Sequence, residues 1–137
     1  MITMATKSDM TALPFDPFAL TWLRGAARAV DWFRARVDQT GRLDAATHDL
    51  GSYYQWPLLL CSLGRFALAQ TVLQTIVDEF MTDKGDFRTG DDKSRDPLYG
   101  LIADSYTNTW PIVAARVLER SDIARPALEC LRARRIE

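Results

Sequence analysis

The chain has 137 residues, enough for one domain with a sizeable buried core. Hydrophobic side chains make up 47% and charged ones 26%, which are globular values, and a net charge of -1 leaves no basic surplus to act as a nucleic-acid footprint. No apolar run approaches a membrane span, and Met1 to Thr11 lacks the charged and apolar regions of a secretory signal, so a cytoplasmic protein with no membrane contact is expected.

Residues 1–15 read as a flexible arm, polar and then punctuated by Pro14, and residues 16–137 as one helical domain. Asp16-Pro17 is a helix start, an N-cap acid followed by proline at the first helical position. From there Trp22, Leu23, Ala26, Val30, Phe33 and Val37 repeat at helical spacing on one face. Gly41 ends that helix, and a loop to Gly51 carries the only histidine, His48. Ser52 is a cap for a short helix through Leu63 that is apolar nearly all round, which argues for burial on every side.

Gly64-Arg65 turns into an amphipathic helix. Ala69, Val72, Leu73, Ile76, Val77 and Phe80 line one face, and Gln70, Gln74 and Asp78 face out. Lys84-Gly85 breaks it, and the charged stretch from Asp83 to Pro97 is similar to the loop at Thr40–Leu43. Ser105 caps a second buried helix, and Ser121-Asp122 a second outer helix through Leu131. No segment alternates like a strand. The expectation is an all-α chain of about five helices.

Part of the pattern occurs twice. Ser52-Tyr53-Tyr54-Gln55-Trp56-Pro57 returns as Ser105-Tyr106-Thr107-Asn108-Thr109-Trp110-Pro111. Leu63, Arg65, Ala69 and Leu73 then fall on Leu118, Arg120, Ala124 and Leu128. A period of about fifty-five residues holding two helices marks a helical-hairpin array. The prolines leave two options. Helices beginning at Ser52 and Ser105 place each proline a turn inside, and helices beginning at Trp56 and Trp110 make them ordinary first-turn residues.

Alternating buried and amphipathic helices carrying Tyr53-Tyr54-Gln55-Trp56-Pro57, Leu63-Gly64-Arg65 with Ala69, and Gly85-Asp86-Phe87 resemble the α/α-toroid proteins over about residues 16 to 135. That superfamily includes six-hairpin glycosidases, polysaccharide lyases and epimerases, and terpenoid cyclases. The resemblance implies a partial toroid of two and a half hairpins. It also implies a lyase, isomerase, cyclase or hydrolase acting on a carbohydrate or small cyclic metabolite, with its site at the N-terminal ends of the inner helices. The chain departs from the family in hairpin number and lacks the Asp-x-Asp-Asp motif of the protonating cyclases.

Four residues carry the acid–base expectation: His48, Tyr53, Tyr106 and Asp104. A histidine titrates near neutrality, and a tyrosine hydroxyl on a buried helix needs a polar partner. Tyr54, Trp56, Trp110, Asp86 and Arg88 are the candidate binding residues, since aromatics and charges around a concave site suit a sugar-like or other small-molecule ligand. Each has a plainer reading. His48 can be a solvated loop histidine, Trp56 and Trp110 core packing, and Asp86 and Arg88 a hydrated loop. Asp91 to Asp96 lies in a loop between Gly90 and Pro97, not stacked on a helix, and with one histidine no metal site and no cofactor are expected. Cys61 and Cys130 sit in apolar patterns and read as buried, reduced thiols. The arginines at 132, 134 and 135 match a helix C-terminal dipole.

Two and a half hairpins cannot close a ring. Self-association, or cover from missing toroid hairpins, is therefore expected, centred on the Trp110 helix or the Trp22–Phe33 helix. The competing class is a non-catalytic helical-repeat module that binds protein.

Overall fold

The computed structural model describes residues 17–44, 48–90 and 105–134. These form five helices: α1 (Pro17–Arg34), α2 (Trp56–Ser62), α3 (Phe66–Phe80), α4 (Ser105–Val117) and α5 (Ser121–Arg134), with a single 3-10 turn at Leu50–Ser52. The protein is all-α, and the only β-type pairing among the described residues is two isolated bridges, Val37 with Leu43 and Met81 with Phe87. None of these helices is long and apolar enough to cross a membrane.

Two hairpin units follow one plan. α2 turns into α3 through Leu63-Gly64-Arg65, and α4 turns into α5 through Leu118-Glu119-Arg120. Gly64 and Glu119 occupy the left-handed region, at φ 70 and φ 59. The residue after each donates its amide back five positions, Arg65 to Leu60 at 2.8 Å and Arg120 to Ala115 at 2.8 Å. This closure satisfies the last helical carbonyls and fixes the reversal. Ala69 and Ala124, matched by the sequence repeat, are both buried where helices approach.

A second device also repeats. After α1, Asp38 and Arg42 close a tight loop in which the Asp38 amide donates to the Arg42 carbonyl at 2.8 Å. After α3, the Thr82 amide donates to the Asp86 carbonyl at 2.8 Å in the same arrangement. Gly41 (φ 89) and Gly85 (φ 84) sit at the matching corner. Each lies against the next outer helix: a Cβ on Gly41 would come within 2.8 Å of the Thr71 carbonyl on α3, and one on Gly85 within 2.5 Å of the Pro126 carbonyl on α5. Glycine is needed there both for its backbone angle and for the missing side chain. α1 thus ends in the same device as α3, the outer helix of the first unit.

The core runs through both units. Val30 and Phe33 of α1, Leu60 of α2, Leu73 and Ile76 of α3, Ile112 of α4 and Ile123 of α5 are buried. Several boundaries differ from the sequence reading. α1 stops at Arg34, three residues before Val37, which is held in a bridge. Its expected apolar stripe is buried only toward the C-terminal end, while Trp22 and Leu23 remain 67% and 49% exposed. Gln74 does not face out but is half-buried, accepting from Arg120 Nη2 at 3.0 Å.

The two proline options are each realised once. Asp49, not Ser52, caps the first segment, its carboxylate accepting from the Ser52 amide at 2.9 Å in the 3-10 turn, so α2 begins at Trp56 with Pro57 in its first turn. α4 begins at Ser105 and carries Pro111 inside. Cys61 is buried, Cys130 half-buried, and both are free thiols.

Candidate functional site

The structure sorts the described candidate residues into three places, with Trp56 apart from all of them. His48 and Tyr53 meet in the first. Tyr53 follows the 3-10 turn and is fully buried, ringed by Phe80 and the His48 imidazole at centroid distances of 5.6 and 5.5 Å. Its hydroxyl accepts from the Leu43 amide at 2.8 Å and lies 3.2 Å from His48 Nδ1. The Glu79 carboxylate can only accept, so Nε2 donates to it, and in the neutral imidazole Nδ1 is left to accept from the Tyr53 hydroxyl. Nε2 faces the carboxylate of Glu79 on α3, whose other oxygen accepts from Arg42 Nε at 2.7 Å. Tyr53, His48, Glu79 and Arg42 thus form one chain of hydrogen bonds that ties the first loop to α3. Burial pushes the Tyr53 hydroxyl above its ordinary value, only partly offset by the Leu43 amide. The His48 side chain is 42% exposed, so this chain reaches solvent through the imidazole.

Tyr54, Tyr106 and Trp110 occupy the second place. Their rings pack edge to face, Tyr54 to Tyr106 at 5.9 Å, Tyr54 to Trp110 at 6.4 Å and Tyr106 to Trp110 at 6.0 Å. This geometry suits aromatic quadrupoles and contributes about 0.5–1.5 kcal/mol per pair beyond burial. The Gln55 amide reaches the Tyr106 hydroxyl at 3.5 Å. Burial, and the Tyr106 hydroxyl beside it, raise the Tyr54 pKa. Trp56 stands apart from this group. It stacks on Phe33 of α1 at 4.0 Å and 28°, with Trp32 beyond at 6.3 Å. Its observed contacts are core packing that anchors α1 to α2.

Asp86 and Arg88 mark the third place. They line an open depression of about 770 Å³ together with Thr82, Lys84, Glu129 and Cys130, between the second loop and α5. Asp86 is buried and Arg88 half-buried. Asp104, and the acidic run from Asp91 to Asp96, lie outside the described residues. Among the described residues no group of three or more His, Cys, Asp or Glu side chains is placed to hold a metal.

Sequence reasoning missed Glu79, Arg42 and Asn108. Asn108 is almost fully buried in α4 and accepts from the Phe87 amide at 2.7 Å, serving the second loop as Tyr53 serves the first. The alignment of the Trp-Pro segments placed a polar or hydroxyl-bearing residue near these positions, and that was the one available signal. No family model, curated protein or solved structure matches the chain.

Proposed function

We propose that this protein works by association: it is an open helical-hairpin array of the toroid kind whose α1 face is covered by a second copy of the chain. The observation that carries this reading is the exposure of Trp22 (67%) and Leu23 (49%) on a helix that ends in the same loop device as α3. The outer helices α3 and α5 pack along the inner helices α2 and α4, whereas α1 meets α2 near its C-terminal end, where Trp32 and Phe33 lie on Trp56. Covering an apolar side chain of this size contributes roughly 1.5–3 kcal/mol. A two-fold contact through α1 is the simplest way to do so, since the same patch then serves both subunits. The Trp110 helix, the other expected centre, leaves Val113 (39%) and Val117 (48%) exposed but half-buries Trp110 against Tyr54 and Tyr106, so its exposed side chains are smaller than those of α1.

Sedimentation equilibrium at micromolar concentration tests the reading. Wild-type protein should run as a species heavier than 15.5 kDa, and Trp22→Asp with Leu23→Asp should return it to that mass. A wild-type monomer overturns it.

A second reading, a toroid-type lyase, isomerase, cyclase or hydrolase acting on a sugar or small cyclic metabolite, is favoured by the partly exposed His48 poised between Tyr53 and Glu79. His48→Ala separates the two. Loss of a turnover found by screening such metabolites, with association intact, supports the enzyme; unchanged behaviour in both leaves His48 as a fastener of the loop.

A further inference from the structure

Fifty-five positions separate matched residues in the two units, as Gly64 from Glu119 and Ala69 from Ala124. On the first unit, the face around Gln74 receives the following one: Arg120 reaches Gln74, and Cys61 and Leu73 are buried. The matching face of the second unit is open among the described residues. It forms a depression of about 170 Å³ between α4 and α5, lined by Arg116, Ser121, Arg125, Leu128, Glu129 and Arg132.

The substitutions between the two faces are pointed. Arg116 takes the register of buried Cys61, Arg125 that of Gln70, and Arg132 that of half-buried Val77. A following apolar unit would have to bury three guanidinium groups, at a cost of several kcal/mol for each unpaired ion. None of the three has an ion-pair or hydrogen-bond partner among the described residues, whereas nearby Arg120 bonds Asp122 and Gln74 through Nε and Nη2. Three positive groups against the single carboxylate of Glu129 leave a formal surplus of two positive charges.

We propose that this depression binds a phosphoryl dianion, either free phosphate or the phosphate of a monoester. The charge surplus matches a dianion and exceeds what a carboxylate brings. Three guanidinium forks and the Ser121 hydroxyl offer more donors than the two oxygens of a carboxylate can receive, and phosphate supplies three or four oxygens. The volume equals about five or six water volumes, room for a phosphoryl group with the rest of an ester outside the open mouth. The site lies on α4 and α5, away from the proposed α1 contact, and does not rest on it.

Thermal shift with inorganic phosphate and with phenyl phosphate, each compared with chloride at equal ionic strength, tests the site in the full chain. Both phosphates should raise the wild-type Tm over chloride. Arg125→Gln with Arg132→Gln should need about a hundredfold more phosphate for the same rise, since each lost charge-assisted hydrogen bond weakens binding about tenfold. These positions are exposed, so the variant's own Tm in chloride should match wild type. Arg24→Gln with Arg28→Gln, on α1, should keep the full response. A stronger response to phenyl phosphate assigns the site to an ester, and a stronger one to inorganic phosphate assigns it to the free ion. No rise over chloride, or the same loss in the α1 variant, overturns the proposal.

Discussion

The two hairpin units share a backbone and differ in how they close it. In the first, the loop amide at Leu43 is met by a tyrosine hydroxyl, and the inner-to-outer turn uses a glycine. In the second, the amide at Phe87 is met by an asparagine, and the turn forces Glu119 into the left-handed region. The comparison teaches that what repeats is the demand made by the backbone, for an acceptor here and a left-handed residue there. Side-chain identity follows only where nothing else fits. Gly41 and Gly85 are that case, because each is pressed against the carbonyl of a neighbouring helix.

The largest expected effect separates the glycines. Gly85→Ala combines a left-handed backbone with a Cβ driven to 2.5 Å from the Pro126 carbonyl carbon and oxygen, atoms that cannot step aside. Destabilisation of roughly 3 kcal/mol or more is expected from urea unfolding. Gly64→Ala meets nothing within 4 Å and should cost only about 1–2 kcal/mol, the backbone penalty alone. Equal costs at the two positions would break the distinction between pressed and free corners.

Next come the two acceptors. Asn108→Ala leaves the Phe87 amide without its partner beside a buried side chain, for about 1–3 kcal/mol in the same assay. Tyr53→Phe keeps the ring and removes the hydroxyl from Leu43 and His48, with a loss in the same range. The two differ in alkali. The folded state holds the Tyr53 hydroxyl above its ordinary value, so the neutral form is favoured in the folded protein. That contribution is fully present below the unfolded value, about pH 10, and is lost as pH rises from there through the folded value. Wild type and Asn108→Ala should therefore weaken more steeply above about pH 10 than Tyr53→Phe, read from urea midpoints.

The smallest effect has the opposite sign. Glu119→Gly gives the second turn the residue that the first already has, and should stabilise by about 0.5–1 kcal/mol, measured as a rise in Tm.

The same contrast shows what was legible in the sequence. Gly64-Arg65 and the helix from Ala69 to Phe80 could be read because their reasons are local: a left-handed turn, then an apolar face at helical spacing. The likeness between the two loops was legible through Gly41 and Gly85. The common start of the two Trp-Pro segments was not, because Asp49 captures the Ser52 amide and a 3-10 turn replaces the first turn of the helix. Glu79 and Arg42 were invisible for a different reason. Each is an ordinary polar residue at its own place, and Glu79 meets His48 and Arg42 across 31 and 37 residues of sequence. The stripe from Trp22 to Phe33 was legible as a stripe, but half of it is uncovered, since periodicity records that a face is apolar and not what lies against it.

That uncovered half of α1 is where association stands or falls, and amide hydrogen exchange reads it directly. Exchange in a peptide spanning 17–34 should slow as protein concentration rises through the micromolar range, while a peptide from α3, already buried on its core face, should not change. Exchange in α1 that is independent of concentration, at the rate of an open helix, would contradict the account.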